Sequence, residues 1–365
     1  MGHVVEALKV SGGYALANKN VEVHLVLNAD SPVELAEACP WIKKVYPISL
    51  KEIWKDGSRA KLIQRLPKVW DYIITDNRST SFKPHWDEND LIRAYKVLNP
   101  LLMARIGKDY HDLLSKHADI LAYVPNPKIK LTIPKKAKEF AKRYKHTGPA
   151  ICIMLGGSAG DKQSLTIEMW LKICQALFKA IPNLKIYFTG ITKSVGGRTH
   201  TADFNLGDVQ YLVDSLPNAE ATYNIGLWNQ LALIQKINIF LSPHTGFAFL
   251  SPLIGTPWLE LANCLWPAYV FNYEPFYSVL PECGSCPAKE EVTRGCCKLL
   301  SKGKKATCMT DKLLTKKIPE IVKATQLLLN PQFTYKKALN LHLNKLKNLP
   351  YDFSRFWFVD GIKSL

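Results

Sequence analysis

No stretch of the chain approaches ~18 uninterrupted apolar residues, so the sequence offers no membrane-spanning helix. Its first residues, Met1-Gly2-His3-Val4-Val5-Glu6, lack the basic region and apolar core of a secretory signal. Cytoplasmic residence is the expectation that follows by default. There is no low-complexity tract and no fixed-period repeat, which argues against a solenoid. Negative charge is also in short supply. The chain has 31 Asp and Glu against 48 Lys and Arg, a formal net charge of +17.

What is present suits a globular α/β protein. Hydrophobic residues make up 47% and charged residues 22% of the 365, ordinary values with material for two cores. The positive surplus favours polyanionic partners: nucleic acid, an anionic membrane surface such as the inner face of a membrane, or phosphorylated ligands. The plainer reading is a solvated basic face. The basic residues gather at Lys128–Lys145, at Lys298–Lys317 and in a smaller group near the C-terminus. Only Phe140 and Tyr144 interleave the first run, and no aromatic interleaves the second. A nucleic-acid surface is therefore not the expectation.

Hydrophobic spacing predicts a helix from Val4 through Val10 towards Ala17. It predicts a strand over Val21–Leu27 with Val21, Val23, Leu25 and Leu27 on one face. A short helix is expected over Pro32–Ala38, a strand over Lys44–Ile48, a helix over Leu50–Leu66 and a buried strand over Asp71–Asp76. Alternating helices and short strands indicate a parallel, Rossmann-type sheet. Such a domain normally opens with a strand, whereas this chain opens at the turn after one. A Pro- and Lys-rich stretch from Pro125 to Pro149 reads as a linker, so domains are expected over residues 1–148 and 149–330. The strand at Ala150–Leu155 begins the second. Further strands are expected at Leu184–Thr189, Ile237–Leu241 and Pro257–Leu261, with helices after Ile167 and over Trp228–Gln235 and Phe247–Ile254. Residues 331–365 carry a late helix, roughly Tyr335–Leu346, expected to pack on the first domain.

Two loops of the second half carry the chemistry. Gly156-Gly157-Ser158-Ala159-Gly160-Asp161-Lys162 follows the Ile151 strand. Its glycines and serine let backbone N–H groups approach a ligand, and the next helix N-terminus favours an anion. Lys162 adds a point charge suited to phosphate. The loop is neither a Walker loop nor the spaced dinucleotide fingerprint, and many Gly-rich turns bind nothing. Ser242-Pro243-His244-Thr245-Gly246 also joins a strand to a helix. There Thr245 is placed to cap the helix and His244 to bond a phosphate or a sugar hydroxyl. Ligands of open α/β sheets lie at such carboxyl strand ends.

From Gly2 to about Asp311 the chain resembles glycosyltransferase family 9, the group of the bacterial lipopolysaccharide heptosyltransferases. Gly2-His3-Val4-Val5 resembles the family's Gly-Asp-Val-Leu, and Gly157 to Lys162 its phosphate loop. Ser242 to Phe249 resembles Asp-Thr-Gly-x-x-His, and Ile254-Gly255-Thr256-Pro257 the Gly-x-Pro that follows. The resemblance implies a GT-B fold, two Rossmann-like domains facing each other across a cleft. It implies inverting, metal-independent transfer from a nucleotide-sugar donor to a glycan, glycolipid or small-molecule acceptor. Gly157, Ser158, Asp161, Lys162, His244, Thr245 and Gly246 would line the donor site, with no cofactor. No Asp-x-Asp stands at an apolar strand end to hold a metal for a diphosphate. The departures are specific. The base position is His3, with Glu6 one turn later as reserve. The aspartate of Asp-Thr-Gly is His244, and the later histidine is Phe249. A histidine serves as base near neutrality. Losing two acids changes the charge offered to an anionic donor, so the donor or acceptor is expected to differ from the heptosyltransferase case. A non-catalytic nucleotide-sugar binder is the alternative.

Four cysteines, Cys39, Cys152, Cys174 and Cys264, sit among apolar neighbours and read as core. A second group, Cys283-x-x-Cys286, Cys296-Cys297 and Cys308, has an irregular zinc-like spacing. Structural zinc held by Cys283, Cys286, Cys297 and Cys308 is one reading. A redox-sensitive pair or free thiols are the others.

Overall fold

The computed structural model describes residues 2–49, 65–67, 69–75, 93–98, 122, 124, 127–157, 164–192, 201, 203–262, 273–279 and 309–347. The chain divides into two compact units between Ile129 and Lys130, ahead of the boundary expected at 148. Among the described residues no helix is long and apolar enough to cross a membrane.

The first unit opens on helix α1, Gly2–Ala17. Val4, Val5, Leu8, Val10 and Tyr14 are buried along it. Its Ser11 hydroxyl donates to Leu8 O at 2.9 Å and accepts from Trp41 Nε1 at 3.1 Å, which ties the helix to the chain beyond it. Strand β1 (Val23–Asn28) pairs in parallel with β2 (Ile42–Ile48), and α2 (Val33–Glu37) is the crossover. The expected alternation along β1 is not observed: Val21 is exposed, residues 23–26 are half-buried and Leu27 is buried. A second parallel pair joins β3 (Val69–Thr75) and β4 (Arg93–Leu98). The strand expected to be buried over Asp71–Asp76 begins two residues earlier, and its Asp71 and Tyr72 are exposed. Most of the helix expected over Leu50–Leu66 lies outside the described residues, and residues 65–67 at its end are not helical.

The second unit is built on a six-stranded parallel sheet. In chain order the elements are α3 (Lys135–Ala141), β5 (Ala150–Met154), α4 (Ile167–Ala180), β6 (Lys185–Thr189), α5 (Leu206–Asp214), β7 (Ala219–Ala221) and α6 (Leu227–Lys236). They continue with β8 (Ile239–Pro243), α7 (Leu250–Leu253), β9 (Trp258–Leu261), β10 (Phe276–Val279), α8 (Asp311–Leu329) and α9 (Tyr335–Lys347). Helix α3 lies inside the stretch read as a linker.

The strands run β10-β9-β8-β5-β6-β7 across the sheet. Counted within the unit, that is the Rossmann order 6-5-4-1-2-3. Strands β5 and β8 are fully buried, which is why they read as unbroken apolar runs rather than as alternation. Helix α4 buries Met169, Trp170, Ile173, Cys174 and Leu177, a helical stripe. Thr166 caps its first turn by accepting from Met169 N. Ile153, Trp170, Phe188 and Leu241 belong to one continuous core with Ile321 and Ala338 from the last two helices and Phe333 from the connection between them. Each large side chain so buried stabilises the fold by about 1.5–3 kcal/mol. Helix α9, expected against the first domain, makes its described contacts with β10 of this unit, and Ala338 is fully buried there. Cys39, Cys152 and Cys174 are buried free thiols as expected. Cys264 lies outside the described residues.

Candidate donor site at the sheet's switch point

Strand order reverses direction at β5, where the chain runs outward to β6 on one side and to β8 on the other. In open α/β sheets ligands lie at the carboxyl ends of the strands at such a point, where the two loops leave β5 and β8. The two loops singled out in the sequence are these two.

The structure brings them together. A Cβ added to Gly157 would lie 3.1 Å from Thr245 Cγ2 and 3.2 Å from Thr245 Cβ. Thr245 is buried, its hydroxyl 3.8 Å from Met154 Sδ at the end of β5. The same hydroxyl accepts from Ala248 N at 3.2 Å, so the capping role expected of Thr245 is observed. It caps a turn rather than a long helix. The helix expected over Phe247–Ile254 is only α7, and residues 246–249 are wound as turns. Gly255 then reverses the chain at φ +87°, a conformation that favours glycine. Ser251 Oγ and Thr256 Oγ1 hold that turn through Thr256 O and Ile234 O, each at 2.8 Å.

His244 is held by strand register. Ser242, Glu260 and Ser278 are Cα partners on β8, β9 and β10. Side chains two residues apart on a strand share a face. Trp258 thus reaches diagonally to Ser242, with Nε1 donating to Oγ at 3.1 Å. Glu260 makes the same diagonal one step on, its Oε1 lying 2.7 Å from His244 Nδ1. Ser278 Oγ donates to Glu260 Oε2 at 2.9 Å. Phe249 sets its ring edge-on against His244 at 5.6 Å and against Trp258 at 5.2 Å. The acid lost from position 244, relative to the family pattern, is thus met by a buried acid on the neighbouring strand. Glu260 was not singled out in the sequence. A lone carboxylate inside Trp258-Leu259-Glu260-Leu261 was the available signal, because unpaired buried acids are costly.

The other half of the sheet's carboxyl edge is close-packed around Gly190, just after β6. A Cβ there would meet Thr201 Oγ1 at 2.6 Å and the Tyr223 ring at 2.7 Å. Gly190 O accepts from Asn224 N at 2.9 Å and from Gln230 Nε2 at 2.8 Å. Thr189 Oγ1 and Tyr223 Oη are buried here with no hydrogen-bond partner among the described residues. Burial pushes the Tyr223 phenol upward, so it stays neutral and keeps its proton.

Gly157, His244, Thr245 and Gly246 are therefore placed at the switch point. Ser158, Asp161 and Lys162 lie outside the described residues. So do Cys283, Cys286, Cys297 and Cys308, and among the described residues no His, Cys, Asp and Glu group could hold a metal ion. His3 and Glu6 fall in the first two turns of α1, Glu6 within the helix expected from Val4. Their side chains are outside the described residues.

No protein-family model matches the sequence, and no curated protein matches it at a significant level. Solved structures do match. A glycosyl transferase family 9 protein from Veillonella parvula superposes with a TM-score of 0.61 at 15% identity, over 90% of this chain and 94% of that one. The ADP-heptose lipopolysaccharide heptosyltransferase II of E. coli gives 0.55 at 10% identity, over 89% and 96%. The E. coli heptosyltransferase WaaC, solved with ADP, gives 0.55 at 12%, over 88% and 96%. The chain has an α/β fold of the GT-B type. Within that class its fold is similar to that of the solved heptosyltransferases.

Proposed function

We propose that the chain is a glycosyltransferase that takes a sugar from a nucleotide-sugar donor, with the donor diphosphate seated where the β5 and β8 loops meet. The observation that carries this reading is the contact of Gly157 with Thr245 across the switch point. Two strand-end loops converge there, and backbone N–H groups of such loops stabilise an anion. The likeness to solved heptosyltransferases, one of them with ADP, supports the same chemistry. Lys162 and Ser158 complete the diphosphate contacts. The acceptor is the hydroxyl of a glycan, glycolipid or small molecule. His3, with Glu6 in reserve, removes its proton as it attacks the anomeric carbon opposite the leaving nucleotide. The transfer inverts that carbon and uses no metal ion. The basic surface suits work in the cytoplasm, peripheral to the inner face of a membrane.

The test is a thermal-shift screen of the full chain against ADP, GDP, UDP and their common sugars, followed by mass analysis of products. At least one nucleoside diphosphate is expected to raise the melting temperature, and Lys162→Ala to remove most of that rise. If no nucleotide shifts the transition and Lys162→Ala changes nothing, the reading fails. Binding without turnover of any sugar would identify a non-catalytic nucleotide-sugar binder instead.

A further inference from the structure

Glu260 is 3% exposed, in a strand otherwise apolar. A carboxylate at that depth is strongly unfavourable unless its charge is paired and its oxygens bonded. Both oxygens are engaged by the chain itself, Oε1 by His244 Nδ1 at 2.7 Å and Oε2 by Ser278 Oγ at 2.9 Å. An ionised carboxylate only accepts, so the hydrogen of that first bond belongs to Nδ1. Nε2 then carries either a lone pair, in the neutral ring, or a second N–H, in the imidazolium. Of the two forms, only the imidazolium neutralises the buried charge. Only that form can donate from Nε2 to an anionic oxygen.

The ring's setting narrows its orientation further. Phe249 stands edge-on to it, and Phe249 is itself lodged against Trp258, whose indole is fixed by Ser242. His244 directly precedes Thr245, the residue that meets Gly157, so an anion at these loops lies within reach of a ring borne on the same loop.

We propose that Glu260, supported by Ser278, is a positioning residue that holds His244 as an imidazolium whose Nε2–H bonds the donor diphosphate. This rests on the donor-site reading above. Glu260 is buried, with its two oxygens bonded to His244 and Ser278. It acts through the histidine, by fixing which nitrogen faces inward and by stabilising the charge the other nitrogen presents. The arrangement provides at position 244 a cation for the leaving diphosphate in a transfer that uses no metal.

The experiment titrates ADP, GDP and UDP calorimetrically into the full chain at pH 7 and fixed salt. The diphosphate that the parent chain binds tightest is then carried through the variants. His244→Ala and Glu260→Gln are each expected to weaken it by about 10- to 100-fold, the range of a charge-assisted hydrogen bond. The double variant is expected to be no weaker than His244→Ala, since Glu260 acts only through the ring. Ser278→Ala is expected to weaken binding by about 3-fold, and it keeps the test open if Glu260→Gln does not fold. A second measurement needs no ligand: ¹⁵N imidazole spectra, with the His244 signal assigned by its loss in His244→Ala, should show Nδ1 and Nε2 both protonated.

Three results would each overturn the relay. One is strictly additive losses in the double variant. The second is Glu260→Gln within about twofold of the parent while His244→Ala is weakened. The third is a ring in which either Nδ1 or Nε2 is without a hydrogen. A parent chain that binds none of the three diphosphates overturns the donor-site reading, and the relay's ligand role with it, even where the spectra show Nδ1 protonated.

Discussion

The absence of one side chain sets how near the β5 and β8 loops approach. At Gly157 even a methyl would sit 3.1 Å from Thr245 Cγ2, tighter than ordinary van der Waals contact. Thr245 cannot retreat freely, because its hydroxyl caps Ala248 N and the side chain is buried. Gly157→Val is therefore expected to drive the loops apart. Nucleoside-diphosphate affinity should fall at least about tenfold, while melting temperature falls by only a few degrees, since loop positions contribute little to the core. Titration of the parent and variant side by side checks this, and unchanged affinity would sink the idea that this contact shapes the anion site. These loop residues were legible because two loops of glycine with serine, threonine or histidine each directly follow an apolar strand in one domain. Glu260 was not, because its role depends on strand register. His244 and Glu260 are 16 residues apart, and only the parallel pairing of Ser242 with Glu260 makes their diagonal contact.

Elements were legible in proportion to how far their own sequence decided them. Strands β5, β6, β8 and β9 are mostly buried apolar residues, and α4 carries a helical stripe of them, so pattern alone located all five. Strand β7 is three residues, Ala-Glu-Ala, with no β-branched side chain, and exists because β6 offers it hydrogen bonds. Helix α8 contains Pro319, which deletes one intrahelical bond and reads as a stop. The helix nonetheless continues, since Ile321, Ala324 and Leu328 beyond the proline are buried in the core. Burial there outweighs a local penalty of ~3 kcal/mol. Helix α4 also governs the site, for Trp170 Nε1 donates to Leu155 O at 3.0 Å, at the root of the β5 loop. Trp170→Phe keeps an aromatic ring in place but removes that donor from a buried carbonyl. It is expected to destabilise the second unit by about 1–3 kcal/mol. Diphosphate binding should weaken with it. Urea unfolding gives the first quantity, and a loss under about 0.5 kcal/mol would show that the bond does not anchor the loop.

At the scale of the whole molecule, the decisive fact is that both loops belong to one unit. Residues 130–351 contain the complete six-stranded sheet, its continuous core and both sides of the switch point. The spacing of apolar residues in the sequence implies two domains but puts their boundary at the Pro- and Lys-rich stretch. That stretch forms helix α3, which packs on α6 and so joins the second unit. The Lys236 ammonium fastens it by donating to Ala141 O and Tyr144 O at 2.8 and 2.9 Å. Composition could not show this, since a basic stretch used as a helix reads like one used as a linker. The net charge of +17 is equally silent about where an anion binds, because surface charge sets a general attraction rather than a site. The prediction at this scale is that residues 130–351, expressed alone, fold cooperatively and bind the nucleoside diphosphate within about threefold of the full chain's affinity. Ligand at 100 times its dissociation constant stabilises the bound state by about 2.7 kcal/mol, which for a unit of this size raises melting by about 5–10 °C. Sugar transfer should be absent from this piece, because the proposed base is on α1. Scanning calorimetry with and without the diphosphate measures the shift. A piece that folds but binds more than about tenfold more weakly would show that the donor site draws on residues before 130.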